Sequence, residues 1–242
     1  MNTKNLFRSL ILLFVTFVST SCILNIDGIM GKGPIIEEYV SVTGFSSVET
    51  SSSADVEITK GDSLEVILSD YENMLDCWDV NVVNNTLIIQ TKPFTSLVNS
   101  KAKVKVVLPT ALYEVKVSGS GDIKLNSAFP ELEKASISGS GNINGNVSAE
   151  YSKLFMSISG SGSFNFIGTA EELKASTTGS GKMYLRDLVA NDAICSVLGS
   201  GNMYVYAIKS LKAVITGSGN IVYSGNPVVD VQASGSGRLK HD

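Results

Sequence analysis

Histidine is nearly missing from this chain of 242 residues: the single copy, His241, stands next to the last residue. Histidine-based metal clusters and Ser-His-Asp catalysis therefore have almost nothing to work with. Charge is sparse too, at 17% of residues, with 19 Lys+Arg against 23 Asp+Glu and a net charge of -4. A nucleic-acid binder needs a surplus of cations to neutralise phosphates, so that class is excluded and no nucleic-acid partner is expected. Beyond residue 21 only two arginines remain, Arg186 and Arg238. No apolar run is long enough to span a bilayer. Glycine and serine are abundant, at 22 and 34 residues, and the 43% of apolar residues is enough to build a core. The length allows one or two domains.

The chain opens on an address label. Lys4 and Arg8 form a basic front, Leu10 to Val18 form a short apolar stretch, and Ser19, Thr20 and Ser21 precede Cys22. A basic front, a short apolar segment and small residues are the parts of a secretory signal. Small residues ending in a cysteine resemble a bacterial lipoprotein signal. That resemblance implies cleavage after residue 21, lipidation of the Cys22 thiol and a membrane attachment through that lipid. Ile23 follows the cysteine where an Asp would favour inner-membrane retention, so the expected address is the outer membrane. Residues 22–34 hold three glycines and Pro34, and read as a flexible tether. Two further thiols remain, Cys77 and Cys195. The compartment permits a disulfide between them, and two buried free thiols are the other reading.

The second half is governed by a repeat. GlySerGly occurs seven times, at Gly119–Gly121, Gly139–Gly141, Gly160–Gly162, Gly179–Gly181, Gly199–Gly201, Gly217–Gly219 and Gly235–Gly237. The steps are 20, 21, 19, 20, 18 and 18 residues, and a near-constant period of this size marks a solenoid. Two residues before the first glycine stand Val117, Ile137, Ile158, Thr177, Val197, Ile215 and Ala233. Four residues after it stand Ile123, Ile143, Phe164, Met183, Met203, Ile221 and Leu239. These columns alternate with polar neighbours, and period two means strand. One coil cannot bury its apolar face alone, so equal columns must stack. The fold expected is all-β: a right-handed parallel β-helix with coils of about 20 residues rising about 4.8 Å each. The glycines reach positive φ and let the corner repeat. Central serine hydroxyls about 4.8 Å apart are too far for direct bonds, and each is expected to bond a backbone group.

Residues 35–110 lack the repeat but carry strands, including a hairpin turning at Asn84–Asn85, and Tyr71–Asp76 can form one helical turn. Residues 35–110 are expected to begin the solenoid and cover its open end, with 111–242 forming the repeat proper. A separate N-terminal β domain is the alternative.

Leu108–Ile123, the recurrent SerGlySerGlyAsnIle at Ser138–Ile143 and the closing stretches Gly225–Pro227 and Ser234–Gly237 carry a family resemblance. Together with the lipoprotein-like leader they are similar to the head-GIN-domain family of auto-transporter-adhesin type, frequent among Bacteroidota lipoproteins. The resemblance covers about residues 38–240. It implies adhesion and a cell-envelope location, and no catalytic residue and no cofactor.

Three functions are weighed on the residues. The first is a binding module contacting a glycan or an envelope or surface protein. Its candidate face holds Ser138, Ser159, Thr178 and Thr216 before the corner, and Asn144, Asn165, Tyr184 and Tyr204 after it. The two tyrosines should lie one coil apart, where exposed aromatics can stack on sugar rings. The second is a structural or assembly protein without a small ligand. The third is a polysaccharide-active enzyme, which needs paired carboxylates. The column after GlySerGly reads Asp122, Asn142, Ser163, Lys182, Asn202, Asn220 and Arg238, with one acid, so no enzyme is expected. The glycine-aspartate calcium nonapeptide is missing, so no metal site is expected. The leader gives a direct test. Cys22→Ser should yield a chain that carries no lipid and leaves the membrane fraction, because the acyl chain is the expected anchor. Membrane fractionation with mass spectrometry of the N-terminus checks it, and equal retention of the mutant refutes it.

Overall fold

A computed structural model describes residues 28–242. The leader, Cys22 and the first part of the expected tether lie outside the described residues. The molecule is a parallel β-solenoid. From Asn142 onward the backbone is strand almost without pause, in Asn142–Gly160, Ser163–Gly179, Lys182–Gly199 and Asn202–Gly217, so that GlySerGly is the main interruption. Each coil pairs in parallel with the next, as in Ile158↔Thr177↔Val197↔Ile215. The 18- to 21-residue steps are reconciled at two places away from GlySerGly. The register slips between Asn165 and Gly168 and between Leu185 and Val189, and farther along the coil between Ala149 and Lys153 and between Ala190 and Asp192.

The apolar columns face inward as the alternation requires. Val117, Ile137, Ile158, Val197 and Ile215 are all 2% exposed or less, and so are Ile143, Phe164, Met183, Met203 and Ile221. The exceptions are one threonine and the last coil. Thr177 is fully buried in this column, with its hydroxyl unpartnered among the described residues. Val231 and Ala233, in the last coil, are exposed because among the described residues no further strand stacks on Val228–Gly235.

At four of the corners the carbonyl of the first glycine accepts two N–H bonds from the next coil, and at Gly160 and Gly217 it accepts one. Gly179 O takes them from Ser200 N (2.9 Å) and Gly201 N (3.0 Å), and Gly199 O from Ser218 N (2.8 Å) and Gly219 N (2.9 Å). Space excludes a Cβ at both glycines, and the first is constrained by its backbone as well. The first has a positive φ, 110° at Gly179 and 119° at Gly199, which only glycine adopts freely. The second is forced by space, since a Cβ on Gly141 would stand 2.0 Å from the Gly121 carbonyl oxygen. Positive φ alone, the sequence reading, explains half of the motif. The serine expectation also needs correction: the Ser218 and Ser236 hydroxyls bond each other at 3.3 Å. Rotation of the side chains brings the oxygens closer than the coil spacing.

The first part of the chain belongs to the same stack, but not in sequence order. Ser47–Thr50 and Asp55–Lys60 form the coil under the first GlySerGly, and Ser52 O replaces the glycine carbonyl in accepting from Ser120 and Gly121. The coil beneath that one is built later in the chain, from Thr86–Thr91 and Lys103–Leu108. Antiparallel strands then close the parallel edge: Trp78–Val83 on one wall, and Glu65–Tyr71 with Ile35–Tyr39 on the other. The expected hairpin turns at Asn84 and Asn85, both with positive φ (48° and 64°), and a 3-10 turn occupies Glu72–Cys77.

Asp70 ties this cap together. Its fully buried carboxylate accepts from Trp78 Nε1 (3.0 Å), Ser100 Oγ (2.7 Å) and the backbone N–H of Lys101 (2.9 Å) and Tyr71 (2.8 Å). Four donors compensate the charge for its lost water. The tether expectation is corrected from Gly28 on: Ile29–Met30 pairs with Leu97–Val98, and the Lys32 N–H donates to Asn73 Oδ1. Cys77 and Cys195 are both free thiols. Cys195 is buried in the core, which pushes its pKa up to about 12, whereas Cys77, in the cap, is half-buried rather than buried.

Gly141→Ala should lose more than about 3 kcal/mol of stability, because backbone cannot retreat from a Cβ in that position. Gly44→Ala, whose Cβ would meet nothing within 4 Å, should cost little. Thermal melts of the pair check this, and equal shifts would refute the steric account of the corner.

Candidate functional site

The corner divides the outward residues between two walls. The serine and threonine positions stand before it and the asparagine and tyrosine positions after it. The expected ligand face is therefore two faces on either side of an edge.

On the wall after the corner, register stacks Asn144, Asn165, Tyr184, Tyr204 and Val222. The tyrosine rings lie parallel, with centroids 5.5 Å apart and 5° between planes. The Arg186 guanidinium sits 5.6 Å from the Tyr204 ring centroid, held from its other side by Asp242 at 3.0 Å. This arrangement changes what the tyrosines can do. Sugar stacking needs a free ring face. Here the rings face each other and the cation, and present edges and hydroxyls outward.

The wall before the corner carries Ser138, Ser159, Thr178, Leu198 and Thr216 as one exposed column. Two residues earlier runs a second hydroxyl column, Ser136, Ser157, Ser176 and Ser196, which is half-buried rather than freely exposed. Beside it Phe155 and Ile194 are 41% and 39% exposed and flank Lys174. Together they line a shallow groove of about 330 Å³ between coils. Lys174 lies 5.3 Å from the Phe155 ring centroid and also pairs with Glu172 at 3.1 Å. Lys153, 2.7 Å from the same carboxylate, contributes first and Lys174 second to holding Glu172 below the usual carboxylate range. Sequence reasoning missed this groove. The alternation places Phe155 and Ile194 outward, but their column had not been aligned.

The column after GlySerGly has a structural task. Asp122 Oδ1 accepts from the Asn142 N–H (2.8 Å) and Nδ2 (2.9 Å), and Asn142 Oδ1 from the Ser163 N–H (3.1 Å) and Oγ (2.5 Å). Asn202 and Asn220 repeat the pattern. Short side-chain carbonyls here satisfy donors of the following coil, so the one acid of the column is engaged in a ladder. Among the described residues no three His, Cys, Asp or Glu side chains gather as a metal-binding set, and no helix is long and apolar enough to cross a membrane.

Stacked parallel coils, with the one acid of the post-corner column bound in a side-chain ladder, define a β-solenoid. The chain belongs to the family described as "Putative auto-transporter adhesin, head GIN domain", whose model matches residues 44–227. Similar solved structures include a "putative adhesin" from Bacteroides fragilis, 23% identical, with a TM-score of 0.80 over 89% of this chain and 100% of that one. A "putative lipid binding protein" from Parabacteroides distasonis is 26% identical, with a TM-score of 0.69 over 88% of this chain and 99% of that one. A "putative adhesin" from the same species is 24% identical, with a TM-score of 0.68 over 89% of this chain and 100% of that one. No curated protein matches the sequence.

Asn142→Ala should cost about 1–2 kcal/mol, since it leaves backbone and side-chain donors of the next coil unpaired. Lys182→Ala, in the same column, should be nearly neutral, because only its backbone N–H joins the ladder, at 3.0 Å from Gly162 O. Urea unfolding of the two variants checks this, and equal midpoints would remove the ladder's role.

Proposed function

We propose that the protein is a non-catalytic, adhesin-like lipoprotein of the outer membrane that holds an extended glycan along its pre-corner wall. The observation that carries the reading is the groove around Phe155, Ser157, Lys174, Ser176 and Ile194. It joins two exposed apolar side chains, a cation and a run of hydroxyls on a rigid sheet. Such a surface offers hydrogen bonds to sugar hydroxyls and apolar contact to sugar faces. Membership of an adhesin-type family supports a binding role and a surface or envelope location. The exposed serine and threonine column continues the polar surface toward the corner. The tyrosine-asparagine strip on the other wall offers a narrower, edge-on contact.

Binding is tested on a panel of bacterial and host polysaccharides, with a matching panel of surface proteins. Phe155→Ala should lose about tenfold in affinity for the preferred glycan, the loss of about 1 kcal/mol or more expected for one apolar aromatic contact. Tyr184→Ala with Tyr204→Ala should lose less than twofold. The reverse ranking would move the site to the other wall. Capture of surface proteins with no glycan bound would favour the structural or assembly role.

A further inference from the structure

The cap end of the solenoid carries an apolar tip that the cap's own packing does not explain. Thr95 N–H donates to Lys92 O at 3.2 Å, closing a four-residue turn with Pro93 at its second position and Phe94 at its third. Phe94 has a φ of +62°, the conformation that makes glycine or asparagine the usual choice there. Its ring is wholly exposed. A bulky aromatic in a strained position, wholly exposed among the described residues, is a local choice that folding alone disfavours.

The neighbours are of one kind. Ile29 N–H donates to the Ser96 carbonyl at 2.8 Å, two residues beyond Phe94, and Met30 pairs with Val98. Ile29, Met30 and Val98 are 40%, 56% and 42% exposed. Lys32 and Lys92 flank this cluster in sequence, and Glu72 stands behind Gly33. The cluster sits where the described chain begins, at Gly28. Cys22 precedes that residue by only six positions, so a lipid on its thiol lies within about 21 Å even for a fully extended link.

We infer that this tip is a second membrane contact: Phe94, Met30, Ile29 and Val98 seat in the interfacial layer of the lipid bilayer that holds the Cys22 acyl chains. The inference rests on the lipoprotein reading. Aromatic and apolar side chains at headgroup level, beside lysines that face anionic lipids, are a recurring membrane-interface composition. An acyl chain alone holds a protein to a membrane without orienting it. A second, rigid contact fixes the cap against the bilayer and directs the stack of coils away from it.

The test uses the mature chain purified from membranes, with Cys22 acylation read by mass spectrometry. It is placed in phosphatidylethanolamine–phosphatidylglycerol vesicles with brominated acyl chains. The native Trp78 is buried and bonded to Asp70, so it serves as a constant background. In Phe94→Trp the added indole should shift to the blue and be quenched by the brominated lipid. In Val228→Trp, at the opposite end, it should do neither. An acylated chain in which the two indoles behave alike overturns the tip contact and leaves the anchor standing. A chain without acylation overturns the anchor, and the inference with it. As a companion measurement, Phe94→Gly should leave the melting temperature unchanged or raise it, since it relieves the positive φ. A large fall would show that the ring serves the fold instead of the membrane.

Discussion

One carbonyl oxygen with two donors organises this molecule. At four corners the first-glycine carbonyl, of Gly119, Gly139, Gly179 or Gly199, receives the N–H of the serine and second glycine one coil on, and those of Gly160 and Gly217 receive one of the two. The bond pair leaves no room for a Cβ at either glycine and fixes the register of everything that follows. With the register set, Ile158 must cover Ile137, Asn142 must reach Asp122 and Tyr204 must lie against Tyr184. The side-chain ladders are therefore consequences of a backbone contact. The steps between corners can vary from 18 to 21 residues because the slack is taken up by register slips elsewhere in the coil.

Much of the solenoid is legible in the sequence because its code is local and repeated. Period-two alternation marks the strands, and a recurring GlySerGly marks where each coil turns. Burial of Ile158 and Phe164 follows from alignment alone. The cap is a different matter. Alternation identifies a strand but carries neither its direction nor its partner, so nothing local in Glu65–Tyr71 announces an antiparallel pairing with Lys103–Leu108. The Asp70 network joins residues 30 positions apart, a distance no motif spans.

The candidate site divides along the same line. That Tyr184 and Tyr204 are neighbours follows from the columns. That their faces are turned toward each other depends on ring rotation and on Arg186, which register does not specify. The sequence likewise shows hydroxyls on one wall without showing that Phe155 and Ile194 border a groove there. Position along the chain is read from the repeat, whereas orientation of a side chain is set by contacts from other coils.

The coil made by Ser47–Thr50 and Asp55–Lys60 lies between one built from Thr86–Thr91 with Lys103–Leu108 and one built from Glu114–Val117 with Ile123–Ala128. This crossing sets an order of assembly. The earliest coil gains its first complete neighbour only when the chain has emerged past residue 108 and its second only past residue 125, so the base must gather from distant segments and is expected to be the slow step. Each later coil needs only its predecessor and its own stretch of about twenty residues. A chain that emerges residue by residue can therefore wait once, at the base, and then zip coil by coil at the pace of its delivery.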